Sequence, residues 1–146
     1  MSLRLSTNFI LEEFIDPVTF AAFGERSVWF IDPVIVRVVQ FIRDRHGVPV
    51  TVNNWHIPGG KYTESGYRRP DTLTGGKLSQ HKFGRGSDIK ITGITRQELY
   101  ADILDNQTLY IKVGLTAVEH IDSTPSWLHA DCRYIPNIKE ILIVKP

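Results

Sequence analysis

At 146 residues, 42% apolar and 23% charged, the chain has the length of one domain and the balance of a packed globular protein, which argues against a disordered or membrane-embedded polymer. Its net charge is +1, with lysines and arginines scattered rather than run together, so the electrostatic footprint of a nucleic-acid binder is missing. Cys132 is the only cysteine, which excludes a disulfide within the chain and a four-cysteine zinc site and leaves histidine and carboxylate as the available metal ligands.

The opening segment MSLRLSTNFILEEF carries Glu12 and Glu13 where the apolar run of a signal peptide would lie, so cytoplasmic synthesis without a signal peptide is expected. No apolar run approaches the ~20 residues of a membrane span, and no membrane partner is expected. Asp32 and Pro33 read as an N-cap and a first-turn proline, and Val34, Val38, Val39 and Ile42 then recur at helical spacing until Gly47. A β-branched, alternating stretch from Pro49 to Asn54 predicts a strand. From Trp55 to Gln80 the chain is rich in Gly, Ser, Thr and Pro and longer than an ordinary connection, as loops that line sites often are.

A strand returns over Gly86–Ile91, and Thr95 with Glu98 forms a capping box that opens a helix through Asp105. Apolar runs over Leu109–Val113, Leu115–His120, Trp127–Cys132 and Lys139–Val144 read as strands. Neither repeats nor linker-like tracts divide the chain, so residues 1–146 are expected to form a single α+β domain. Its short connections predict a mainly antiparallel sheet with helices on one side.

The segment SQHKFGRGSDI holds His81 and Asp88 around Gly84 and Gly86, which permit a tight turn and close backbone approach. In WLHADCR, strand alternation puts His129 and Asp131 on one face. Two histidines and a carboxylate suit a catalytic zinc with a fourth position for water; they equally suit a hydrogen-bonded structural cluster. His46, His56 and His120 stand outside that set and read as solvated or structural. Cys132 reads as a small buried apolar residue; Trp127 can wall the site or fill the core, the commoner role of a strand tryptophan.

Ser79, His81, Gly84 and Asp88 match S-x-H-x-x-G-x-x-x-D, and in this the chain resembles the D-Ala-D-Ala carboxypeptidase family of zinc peptidases, whose fold is similar to that of the hedgehog signalling domain. NFILEEF, SGYRRPD and WLHADCR are similar to stretches of its phage-encoded and cell-wall branches. The resemblance implies a hedgehog/DD-peptidase-like fold, Zn2+ as cofactor on His81, Asp88 and His129, and Arg68 as a contact to the substrate's carboxylate or polarised carbonyl. Peptidoglycan stem peptides are then the substrate, as a D-alanyl carboxypeptidase or a cross-link endopeptidase. Action on the wall would follow release from the cell or occur as part of a phage particle.

Many family members carry a Glu three residues before the last histidine, where this chain has Ser126. Glu119, Asp122 and Asp131 are the candidates for its role. If the strands around Val118 and Leu128 form a hairpin, Glu119 lies opposite His129 on the same face, whereas a shift of one residue turns it away. Asp131 suits orienting an imidazole rather than taking a proton, and Asp122 reads first as turn chemistry. The competing expectation is a zinc-bound structural or recognition module without turnover.

Overall fold

Two Asp-Pro pairs open the first two helices of the chain, whose residues 2–146 are described by a computed structural model. In α1, Pro17–Phe23, the Asp16 carboxylate accepts from the backbone N–H of Val18 and Thr19, both at 3.0 Å. In α2, Pro33–His46, Asp32 accepts from Val34 at 2.9 Å, and Gly47 closes the helix at φ 68°, a left-handed conformation that costs glycine little. Of the expected stripe in α2, Val38, Val39 and Ile42 are buried, joined by Ile35 and Val36, while Val34 at its start is only half-buried.

The expected strand after α2 pairs only over β1, Val50–Thr51. Just beyond it, the Val52 carbonyl accepts from Lys90 Nζ at 2.7 Å and Asn53 N–H donates to Glu13 at 3.0 Å, so these groups leave the ladder. Residues 52–79 form the long loop. Strand β2 is Gly86–Ile91, and α3, Arg96–Asp105, opens on the Thr95/Glu98 capping box.

The run expected as a strand over Leu109–Val113 is a helix instead, α4, Gln107–Val113, ended by Gly114 at φ 114°. A short apolar run does not distinguish strand from helix by itself. Here Tyr110 decides: buried, it packs edge-on against Phe41 of α2 at 5.2 Å and donates its hydroxyl proton to Asp102 of α3. Strands β3, Ala117–Glu119, β4, Leu128–Asp131, and β5, Leu142–Val144, follow.

The result is an α+β domain with one mixed five-stranded sheet, ordered β1-β2-β4-β3-β5, and four α-helices among the described residues. Three pairings are antiparallel, in keeping with the mainly antiparallel sheet expected, and one, β5 with β3, is parallel, which makes the sheet mixed. With β2 already on the other side of β4, the chain leaving β4 passes to the free edge of β3, and a strand antiparallel to β4 is there parallel to its neighbour.

Alternation sorts the sheet into two faces. Ile89, Leu128, Ala130 and Val118 join the α2, α3 and α4 side chains in the main core. The other face carries Asp88, Lys90, His129, Asp131 and Glu119.

Candidate metal centre

The four-residue segment 65–68 brackets two of the predicted ligands through its backbone. Ser65 carbonyl accepts from Asp88 N–H at 2.7 Å, Gly66 carbonyl faces His81 Nδ1 at 2.7 Å, and Arg68 N–H donates to His81 carbonyl at 3.0 Å. A side chain at Gly66 would meet Phe14 carbonyl oxygen at 2.4 Å, so only glycine lets this segment lie where it does. His81 sits in the 3-10 turn Gln80–Phe83, closed by Gly84 at φ 70°, where a Cβ would lie 1.9 Å from Phe30 carbonyl oxygen. A Cβ on Gly86 would approach His129 Cε1 to 3.1 Å and His81 N to 3.0 Å, so that glycine gives the two histidines their room. Asp88 and His129 are direct partners across β2 and β4.

His81 Nε2, Asp88 Oδ1 and His129 Nδ1 form a nearly equilateral triangle with edges of 3.1, 3.1 and 3.0 Å. All three residues are buried, and the group can hold a metal ion. Ligands at about 2.0–2.2 Å from one ion stand roughly 3.3–3.6 Å apart in a tetrahedral site and roughly 2.8–3.1 Å apart in an octahedral one, so the triangle lies within a few tenths of an ångström of the first and inside the second. The outer partners fix what the inner atoms present. A carbonyl only accepts, so His81 Nδ1 donates to Gly66 and Nε2 turns a lone pair inward. Asp131 Oδ2 lies 2.9 Å from His129 Nε2, so this nitrogen donates and Nδ1 turns its lone pair inward as well.

Three acceptors thus converge, and something positive belongs between them. Burial disfavours a charged His129, yet hydrogen bonds to Asp131 and Asp88 and their charges push its pKa up to about 9, so a proton can take that place. For His81, burial dominates and lowers the pKa. The same partners, Asp88's own burial notwithstanding, hold the Asp88 carboxyl well below its usual range. A proton bridges two of the three atoms, whereas a metal ion satisfies all three.

Asp88 is also held from behind: Arg68 Nη2 donates to its Oδ2 at 2.8 Å while Arg68 Nε donates to Glu64 carbonyl at 2.7 Å. Beneath it, Lys90 Nζ donates to Asp88 carbonyl, Ser65 Oγ and Val52 carbonyl, and burial lowers the lysine's pKa to about 8. The sequence reading missed Lys90, although it lies two residues from Asp88 on the same strand face. It also singled out only Arg68 from the bracket, since carbonyls carry no residue signature.

Continuing the β3–β4 register from Ala117↔Asp131 and Val118↔Ala130 by one residue sets Glu119 opposite His129. Asp88, His129 and Glu119 therefore share one rung across three strands. The cleft over this rung, about 460 Å3, is lined by the three candidate ligands, Arg68, Glu119 and Arg133 among others, and among the described residues Glu119 is its one side-chain carboxylate besides Asp88. Asp131 has no exposed surface and both its oxygens are engaged by Arg133 and His129. Asp122 lies on an outer turn with its side chain 85% exposed, away from the cleft lining.

Of the two expected places for Trp127, the core and the site wall, the structure gives the second: it lines this cleft and a second trough of about 210 Å3 along Tyr62–Ser65. The two troughs share Arg68, Thr74, Asp88 and Trp127. Cys132 is buried as expected, its thiol pushed up to about 12 chiefly by burial. His46, His56 and His120 lie outside the group; His46 Nε2 stands 3.4 Å from Asp102, so it is packed into a helix junction rather than solvated. A separate groove beside α2, about 420 Å3 and lined by Leu5, Ile31, Val36 and Phe41, carries no metal-donor cluster.

No helix among the described residues is long and apolar enough to cross a membrane. Compared with known protein families, curated proteins and solved structures, the chain gives no match.

Proposed function

We propose that this chain is a zinc-dependent peptidase that hydrolyses peptide bonds in bacterial cell-wall peptidoglycan. The observation that carries the hydrolytic reading is the meeting of three inward lone pairs with a free carboxylate, Glu119, on one rung of an open cleft. His81, Asp88 and His129 would hold the ion, which supplies Lewis acidity to water and to a carbonyl. The donor set by itself also suits ferrous iron. The S-x-H-x-x-G-x-x-x-D resemblance favours zinc and supplies the peptidoglycan substrate class.

Glu119 takes the proton of the attacking water and passes it to the leaving amine nitrogen as the C–N bond breaks. Arg68 steadies Asp88 through Nη2 and is itself held by Nε on the Glu64 carbonyl; its Nη1 has no partner among the described residues and is left for the substrate's carboxylate or developing oxyanion. A second trough that shares Arg68, Thr74, Asp88 and Trp127 with the cleft offers room for more of the substrate, which supports cleavage of an internal bond over trimming of a terminal D-alanine. Ser126 at the usual place of the base is the feature that favours a non-catalytic zinc module. Glu119 opposite His129 weighs against that module, because it restores a carboxylate to the site from the neighbouring strand.

Metal analysis and digestion of purified peptidoglycan test the proposal together. Zinc near one per chain with soluble peptide products supports it; zinc without products favours the non-catalytic module, and iron in place of zinc contradicts the cofactor.

A further inference from the structure

Behind the metal triangle, the outer nitrogen of His129 is tied to a carboxylate that has no contact with water. Asp131 is fully buried, and its Oδ2 faces His129 Nε2 at 2.9 Å. Arg133 closes on the same carboxylate with both arms of its fork, Nε to Oδ1 at 2.8 Å and Nη2 to Oδ2 at 2.6 Å, and adds its backbone N–H to Oδ1 at 3.2 Å. Its side chain is 27% exposed and reaches the cleft wall, so the chain of contacts runs from the cleft through Arg133 and Asp131 to the imidazole.

His129 offers its metal-facing lone pair from Nδ1, not from the outer nitrogen Nε2. That choice holds only while Nε2 keeps its proton pointed at an anionic acceptor in a fixed place. Asp131 alone is a poor anchor, because a buried carboxylate needs donors on both oxygens to stay in one orientation as an anion. The planar fork of Arg133 supplies them, which one ammonium cannot do. Strand alternation also fixes the arrangement: His129, Asp131 and Arg133 are spaced by two and follow one face of the chain as it leaves β4.

We propose that Arg133 is a positioning residue which, through Asp131, locks His129 in the orientation and tautomer that bind the metal. The proposal rests on the reading that the triangle holds a metal ion, and does not depend on what the site hydrolyses. Zn2+ and Co2+ affinities of the full chain, measured by chelator competition, test it, with the Co2+ absorption spectrum as the signature of ligand geometry. In Arg133→Gln both affinities should fall roughly 10–100-fold and the Co2+ bands should shift, while the metal-free thermal transition stays cooperative.

Arg133→Lys should recover part of the affinity, and serves as the test variant should the Gln variant fail to fold. Because Arg133 acts through Asp131, the double variant Arg133→Gln/Asp131→Asn should bind no more weakly than Asp131→Asn alone. Wild-type affinity in Arg133→Gln, or losses that multiply in the double variant, would overturn the proposal while leaving the metal reading intact. A wild-type chain that binds neither ion would overturn both.

Discussion

Asp88 carries two loads at once, with Oδ1 in the metal triangle and Oδ2 on Arg68. Against its own burial, hydrogen bonds with His129 and His81 hold this carboxylate ionised, and the Arg68 contact ties that residue to a candidate metal ligand as well as to its proposed substrate role. His81→Ala or His129→Ala should abolish stoichiometric zinc, read by elemental analysis after gel filtration. Stoichiometric zinc retained in both would reject the ligand assignment. Arg68→Lys keeps the charge but not the fork, so it should weaken zinc binding and turnover together, whereas Arg69→Lys, whose guanidinium stands 4.0 Å from Asp16 and 3.7 Å from Asp71, should be mild. The meeting of His81, Asp88 and His129 was legible through the S-x-H-x-x-G-x-x-x-D resemblance, because residue type and spacing alone left a structural cluster equally open. The Gly66 carbonyl that sets the His81 tautomer was not legible, since every residue has a carbonyl and only the fold selects one.

At the scale of elements, legibility followed the strength of local signals. Asp32-Pro33 with Gly47 marked α2, and the Thr95/Glu98 box marked the start of α3, because capping chemistry is local. The sequence reading left α1 unmarked, although Asp16-Pro17 carries the same signature. It misread α4 because the burial of Tyr110 against α2 and α3 is a tertiary fact. The strand β5 was expected within Lys139–Val144, but its parallel pairing was illegible for a related reason: it depends on which sheet edge is still free. Gly84→Ala should destabilise the fold by at least about 2 kcal/mol in a denaturant titration, since it adds left-handed strain to a collision with Phe30.

The junction of α2, α3 and α4 carries a pH signature of its own. Hydrogen bonds from Arg45 lead the causes that lower the Asp102 pKa from 3.8 to about 2, with Tyr110 adding to them. A depressed carboxyl contributes stability that is present above its unfolded pKa and lost as pH falls through the folded one. The gap in melting temperature between the wild type and Asp102→Asn should therefore be steady above about pH 4 and close between about pH 4 and 2. A gap unchanged across that interval would remove Asp102 as its source.

For the whole molecule, the sheet divides the work between its faces. One face joins the helices in an apolar core, and the other presents the rung of Asp88, His129 and Glu119 to a cleft. The cleft and the trough at Tyr62–Ser65 share Arg68, Thr74, Asp88 and Trp127, and under the proposed function one substrate would occupy both. Mass spectrometry of digested peptidoglycan should accordingly show cleavage within stems or cross-links; release of free D-alanine alone would favour a carboxypeptidase. The most direct measurement compares turnover of purified peptidoglycan by wild type and Glu119→Gln at equal, verified zinc content. The account predicts that the variant folds and binds zinc as the wild type does while its turnover falls by roughly two to four powers of ten; undiminished turnover in zinc-loaded Glu119→Gln would contradict it.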